Sequence, residues 1–207
     1  MRKLLVTLLA IVALPMAAFA ADYKEGTHYE VISSQATTQP EVMEFFSYYC
    51  PHCWKFEPIV EALEDGLQGV ELKRGHVEFL PPRNPQLGQM MTRAFAAAQV
   101  LKVVKPFSEQ VYQRNFVQRK MVATMDDVRD IFTAIGVKKE DFNGAYNSFP
   151  VNSLVAQMAQ KTKKYGVSGT PSVIVNGKYK VLAGGLSDSD DFVADYVKLV
   201  NYLVTLK

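Results

Sequence analysis

Cysteine is scarce in this chain: 207 residues hold two, Cys50 and Cys53, beside three histidines, His28, His52 and His76. Two cysteines exclude a scaffold stapled by several disulfides. A four-ligand zinc site would have to recruit its other ligands from widely scattered histidines. Long apolar runs are also missing. The run from Leu4 to Leu14 is too short and wrongly flanked for a membrane span, and no later stretch is long and apolar enough to cross a bilayer. Neither sign of charge dominates, with 23 Lys+Arg against 21 Asp+Glu. There is no internal repeat and no low-complexity segment.

The first twenty residues read as a secretory signal peptide, residues 1–20. Arg2 and Lys3 form the charged start, Leu4 to Leu14 the apolar core, and Ala18-Phe19-Ala20 a small-x-small cleavage site. An uncleaved anchor is the alternative. Cleavage removes two positive charges and leaves the two signs balanced, so nothing points to nucleic acid or an anionic membrane as partner. Export places the cysteines in an oxidising compartment, where a disulfide can persist. Export with a cleaved signal peptide follows as the expectation.

The informative stretch runs from Phe45 through Cys50-Pro51-His52-Cys53 to Phe56. Val42 to Phe46 reads as a buried strand carrying one acid, Glu44. Pro51 to about Leu67 reads as a helix, with Phe56, Ile59, Val60, Leu63 and Leu67 at spacings of three and four. Pro51 suits the first turn, where its missing N–H costs nothing. The sulfurs therefore sit where a strand hands over to a helix. Unpaired first-turn N–H groups and the helix dipole favour a thiolate at Cys50 and lower its pKa. His52 can add an N–H donor, or a positive charge when protonated. Cys53, one turn further in, is expected to be more buried and closer to an ordinary thiol, and the Cys50 sulfur to be exposed for attack. Three other readings stand beside a redox-active pair. Closing so short a loop as a structural staple removes only roughly 2 kcal/mol of chain entropy, against about 3 kcal/mol for fifteen residues. The other two are half of a zinc site and a pair of inert core cysteines.

Along the chain, His28 to Ser33 reads as a short strand, then the Glu44 strand, the Pro51 helix, and a third strand from Val70 to Leu80 interrupted near Gly75. A strand–helix–strand crossover favours a parallel pair. Pro81 to Pro85 stops the strand, and the period changes to 3.6 for about seventy residues. One helical stripe runs from Leu87 to Val104. Further helices are expected at Phe107–Phe116, from Met125 to a Gly136 cap, at Lys139–Tyr146, and from Pro150 to Gly166. Val173 to Val181 is a hairpin around Asn176-Gly177. A final helix follows, with Ser187 as its N-cap. His28 and His76 read as structural or surface residues.

This order, with a CxxC at the helix start and a Gly-x-Pro before the hairpin, looks like the thioredoxin fold, and the helical block between the halves narrows it. Beyond residue 20 the chain resembles the DsbA family of bacterial periplasmic disulfide oxidases along nearly its whole length. The matching residues are Glu44-Phe45-Phe46-Ser47 before Cys50-Pro51-His52-Cys53, His76-Val77, Asn147-Ser148-Phe149, Ser153-Leu154-Val155-Ala156-Gln157 and Val175-Asn176-Gly177-Lys178-Tyr179. The expected class is α/β, a thioredoxin-like fold with an inserted all-helical domain. Residues 21–82 and 159–207 form the discontinuous thioredoxin-like domain, and 83–158 the helical insertion.

The resemblance implies a Cys50–Cys53 disulfide, with no other cofactor and no metal, donated to newly exported cysteine-containing proteins. It implies re-oxidation by a membrane quinone-linked partner of the DsbB type. It places Glu44 beneath the disulfide as a proton relay, which Glu57 could extend; a solvated strand acid and an exposed helix acid are the plainer alternatives. It places a cis peptide at Thr170-Pro171 against the disulfide, with the backbone before it pairing to an extended substrate. This chain has Arg74 where the family commonly has lysine, and Thr170 where it often has valine. Its Pro81–Pro85 and Val181–Leu186 segments also depart from the family pattern. Only about twenty residues precede the Cys50 strand after the cleavage site, so a monomer is expected. The rival readings are a disulfide isomerase or reductase on the same fold, and a chaperone-like peptide-binding module with an incidental CxxC.

Overall fold

The computed structural model describes residues 23–206; the signal-peptide assignment lies outside them. Five strands form one sheet: β1 (Tyr29–Val31), β2 (Val42–Phe46), β3 (Leu72–His76), β4 (Ser172–Val175) and β5 (Tyr179–Val181), in the order β1-β5-β4-β2-β3. The β2–β3 pair is parallel and the others are antiparallel. The parallel pair follows from the helix α1 (Pro51–Gly66) that joins the two strands. The β4–β5 hairpin turns on Asn176 (φ 52°) and Gly177 (φ 60°), the two left-handed positions a type I′ turn needs.

β2 is buried at every position. Because strand side chains alternate, Val42, Glu44 and Phe46 point to one face and Met43 and Phe45 to the other. On the first face lie α1 and the last helix, α7 (Phe192–Thr205). Phe56, Ile59, Val60 and Leu63 pack there with Tyr196, Leu199, Val200 and Leu203. On the second face Met43, Phe45 and Ile174 meet Tyr165 and Val77.

Between β3 and β4 the chain is helical: α2 (Pro85–Val100), α3 (Val104–Tyr112), a π-helical turn (Gln113–Val117), α4 (Met125–Ala134), α5 (Lys139–Tyr146) and α6 (Phe149–Lys164). The alanines of α2 let its neighbours approach, and aromatic rings fill the middle, the Phe132 ring centroid lying 4.6 Å from that of Phe107 and 4.5 Å from that of Phe142. Phe46, Tyr48, Cys50 and Cys53 belong to this same apolar cluster, so the cysteines lie against the helical block.

Several expected boundaries are corrected. β1 stops at Val31, short of Ser33. The third strand is five residues long, and Gly75 does not interrupt it: it pairs with Phe45, while Met43 and Phe45 fill the space a side chain would take. The stripe ending at Val104 is two helices, broken where Lys102 takes a positive φ of 58°. The helix placed at Phe107–Phe116 starts at Val104 and ends in the π turn. α6 begins one residue before Pro150, capped by Ser148. Asp191, not Ser187, caps α7, its side chain accepting from the Ala194 N–H at 3.1 Å. Among the described residues no helix is long and apolar enough to cross a membrane.

Candidate active site

Ser47 to Cys50 carries the chain from β2 into α1. The Cys50 N–H donates to Ser47 O at 3.0 Å, and the Tyr49 N–H to Ser47 Oγ at 3.2 Å. Cys50 is the N-cap of α1, in extended conformation (φ −99°, ψ 112°), and its Sγ accepts the Cys53 N–H at 3.4 Å. A sulfur thus occupies the place where a serine or aspartate oxygen ordinarily caps a helix, and the orphan first-turn donor favours its anion. Pro51 takes the first helical position. The sulfurs are free thiols in this structure.

Cys50 is 6 % exposed and Cys53 fully buried. The expectation of an exposed Cys50 sulfur is corrected, because the cis Thr170–Pro171 peptide comes up against it: Cys50 Sγ lies 3.4 Å from Thr170 O. The two thiols differ sharply. Cys50 is lowered to about 5, chiefly by the hydrogen bond it shares with the Cys53 thiol. Burial opposes this, while Thr170 and the backbone N–H groups of Cys53 and His52 assist it. The Cys53 thiol is pushed strongly up by the same hydrogen bond and by burial. His52 itself is exposed, and what it gives Cys50 is its backbone N–H.

Parallel register sets Glu44 directly beside Arg74, on the face that α1 covers. Arg74 Nε donates to Glu44 Oε2 at 2.6 Å. Its two terminal nitrogens donate to Glu57 on α1, at 3.3 and 2.6 Å. Side-chain exposure falls from 26 % at Glu57 through 8 % at Arg74 to zero at Glu44. One guanidinium therefore serves two carboxylates, and the deeper one carries the desolvation. Burial raises the Glu44 carboxyl above its usual range, with Arg74 opposing. Glu44 Oε1 has no hydrogen-bond partner. Among the described residues no hydrogen bond joins Glu44 to either sulfur. Glu57 and Arg74 line a cavity of about 260 Å³ between α1 and α3, together with Trp54, Ser108 and Tyr112.

His76 is buried and structural. Its Nε2 accepts the Tyr48 N–H at 3.1 Å, so Nδ1 carries the ring proton and donates to Thr92 Oγ1 at 2.8 Å. Burial lowers its pKa to about 3, in keeping with a neutral ring. No group of three or more His, Cys, Asp or Glu that could hold a metal occurs among the described residues.

Sequence reasoning missed the residues that hold the turn before Cys50. Tyr48 Oη meets Ser108 Oγ at 2.7 Å, Asn115 Nδ2 donates to Tyr48 O at 2.9 Å, and Tyr49 Oη donates to Val122 O at 2.8 Å. Trp54 stacks on Phe116, ring centroids 5.4 Å apart. The adjacent tyrosines directly before the CxxC were the one available signal.

A helix-capping cysteine with its partner one turn below, closed over by a cis proline on a mixed sheet, defines a thioredoxin-fold thiol:disulfide oxidoreductase. The chain belongs to the DsbA family: the model of the DSBA-like thioredoxin domain matches residues 41–198. It is 38 % identical over 214 residues to the thiol:disulfide interchange protein DsbA of Pectobacterium carotovorum, covering 100 % of each chain. Among solved structures it is similar to the disulfide oxidoreductase DsbA from Proteus mirabilis, at 34 % identity and a TM-score of 0.82, over 89 % of this chain and 98 % of that one. A variant of the Proteus mirabilis protein with a non-covalently bound peptide, PWATCDS, matches at the same identity and TM-score, over 90 % of this chain and 100 % of that one.

Proposed function

We propose that this enzyme is a periplasmic oxidase that gives its Cys50–Cys53 disulfide, its only redox cofactor, to newly exported proteins. The carrying observation is the asymmetry of the two thiols: Cys50, at the cap of α1, is lowered chiefly by its hydrogen bond with the Cys53 thiol and further by the backbone N–H groups of the helix start, while the buried Cys53 is pushed up and stays neutral. A dithiol form stabilised in this way makes the disulfide form a donor.

In the first step a substrate thiolate attacks Cys50 Sγ. A mixed disulfide forms, the Cys50–Cys53 bond breaks, and Cys53 leaves as a thiolate that takes up a proton. A second substrate thiolate then attacks the substrate sulfur of the mixed disulfide. Cys50 departs as an anion, a good leaving group because its pKa is low. The substrate has lost two electrons and the protein has gained them. Proton supply to Cys53 is assigned to Glu44 through water, with Glu57 and the cavity beside it as the link to solvent; Arg74 holds both acids but cannot give up its own proton. The extended substrate pairs with the backbone at Thr170, as a peptide added to a strand edge does; that the Proteus mirabilis relative holds a cysteine-containing peptide non-covalently supports a peptide substrate.

Residues 1–20 are assigned as the export signal, 83–158 as the helical insertion, and the functional unit as a monomer re-oxidised by a DsbB-type membrane partner. The deciding experiment is the equilibrium of Cys50–Cys53 against glutathione, with the Cys50 thiolate titrated alongside. An oxidase lies well to the oxidising side of glutathione, with Cys50 ionised at neutral pH. A pair more reducing than glutathione replaces this reading with a reductase. Activity that survives Cys50→Ser replaces it with a peptide-binding module.

A further inference from the structure

The π-helical turn after α3 has a use that the oxidase reading leaves unassigned. Such turns close through bonds between residues five apart, here Gln118 N–H to Gln113 O at 2.9 Å, and they swing the side chains that follow around the helix axis. Asn115 lies in the middle of it. Its Nδ2 donates to Tyr48 O at 2.9 Å, and its Oδ1 accepts the Val122 N–H at 2.8 Å. The same Val122, fully buried, accepts the Tyr49 hydroxyl through its carbonyl at 2.8 Å. Tyr48, Asn115, Val122 and Tyr49 therefore form a closed ring of hydrogen bonds, because Tyr48 and Tyr49 are consecutive.

With the Tyr48 hydroxyl on Ser108 of α3 at 2.7 Å, that ring makes up the polar grip of the helical block on the turn that delivers Cys50. The thioredoxin half holds the N–H groups: Tyr48 on His76, Tyr49 and Cys50 on Ser47. The Tyr48 carbonyl is held by Asn115, from the other side of the interface. With both ends of the turn fixed, Cys50 Sγ sits 3.4 Å from the Cys53 N–H and 3.4 Å from Thr170 O. Hydrogen bonds weaken steeply with angle, so a small rotation of the 48–49 peptide moves the sulfur off that donor. The side chain needs a donor and an acceptor at once, which an amide supplies and an ionised carboxylate does not.

We infer that Asn115 is a positioning residue for thiol exchange: through Tyr48 and Val122 it locks the turn before Cys50 and so holds the Cys50 sulfur over the start of α1. The inference rests on the reading of Cys50 as the exchanging sulfur.

The test uses Asn115→Ala, Tyr49→Phe and the double variant in the full exported protein. The readouts are Cys50 thiolate absorbance against pH and the glutathione equilibrium, with circular dichroism and urea unfolding to establish the folded state. Each single variant is expected to raise the Cys50 pKa by about one unit, the equivalent of one hydrogen bond of ordinary net strength. The glutathione equilibrium is expected to move by about tenfold toward retention of the disulfide. Because the two residues share Val122, the double variant should shift no further than the larger single one. Folded single variants that titrate and equilibrate like wild type overturn the inference, and so does strict additivity in the double. If Asn115→Ala does not fold, Tyr49→Phe, which removes one hydroxyl, decides alone. An ordinary Cys50 pKa in the wild-type protein is a separate result: it removes the oxidase reading, not the ring.

Discussion

Thr170 Oγ1 is buried without a hydrogen-bond partner, beside a sulfur that is at its most useful as an anion. An orphaned buried hydroxyl costs about 1–3 kcal/mol, and a thiolate at Cys50 gives it something to donate to; Thr170 is among the groups that lower the Cys50 pKa. Thr170→Val removes that donor while keeping the shape. The Cys50 pKa is expected to rise by about half a unit to one unit, and the potential to fall by roughly 15–30 mV. Thiolate titration and the glutathione equilibrium read both, and an unchanged or lower pKa would show that the hydroxyl has no part in the poise. Glu44 supplies a second case. Its carboxyl is raised in the folded protein, so the folded state keeps that proton after the unfolded chain has released its own. Stability attributable to Glu44 is therefore present below the ordinary carboxyl pKa of 4.5 and is lost as pH rises through the folded value. Glu44→Gln should remove that decline in urea unfolding and flatten the pH dependence of the Cys53 step. Profiles identical to wild type would leave Glu44 as an inert buried acid. Both residues could be picked out in the sequence, one as an acid in an apolar strand and one as the neighbour of a proline at a known fold position. Arg74 could not be paired in advance, because its two partners come from register and from a helix face, which periodicity does not specify.

Among the elements, α2 and the chain leaving β3 leave no room between them at Gly88. A side-chain carbon at Gly88 would lie 2.1 Å from Glu78 O and 2.7 Å from Leu80 O, backbone atoms that cannot turn aside. Gly88→Ala must therefore push α2 away from the strand end, and a loss of about 2 kcal/mol or more in urea unfolding is expected, in the range for overpacking a tight interior. A variant as stable as wild type would mean that this contact is loose. Nothing in the sequence marked Gly88 as different from other helix glycines, since the backbone it meets lies ten residues back across the Pro81–Pro85 turn. Elsewhere the elements were legible where one period ran unbroken. α1 and the Asn176-Gly177 hairpin stand within a residue or two of expectation. The failures lie where a local signal competed with tertiary contact. Gly75 reads as a strand breaker until Met43 and Phe45 cover it. Ser187 reads as a cap until the turn Ala183–Leu186 uses the residues around it. The π turn has no sequence signature, so Asn115 stayed out of view. α6 runs unbroken from Phe149 to Lys164 and crosses the 158/159 boundary drawn from sequence. Met158 accepts the His76 N–H through its sulfur and Lys161 pairs with Glu41, so this one helix touches β3 and the residue before β2 along its second half.

For the molecule as a whole, ionisation of one sulfur links redox state to stability. In the dithiol form Cys50 titrates at about 5 when folded, against an ordinary value of 9.0. Between those limits the unfolded chain holds a proton that the folded protein has released, so stability of the dithiol form rises with pH. The contribution is full above the ordinary thiol value and is lost as pH falls through about 5. The disulfide form has no thiol to titrate and lacks this dependence. Closing a four-residue loop adds a stabilisation of the disulfide form that does not vary with pH, so it sets the offset between the two forms and not the slope. Cys53, whose thiol is held up, reverses the trend only above the ordinary thiol range. The difference between the urea midpoints of the two forms should therefore change steadily across pH 5, 6, 7 and 8, the dithiol form gaining on the disulfide form by at most about 1.4 kcal/mol per pH unit. Cys50→Ser, which cannot form the disulfide, should lose the rise in stability with pH that the wild-type dithiol form shows, since serine carries no charge in this range. Parallel midpoints for the two wild-type forms would mean that the Cys50 anion is no better held in the folded protein than in the open chain, and the driving force assigned to disulfide donation would be gone with it.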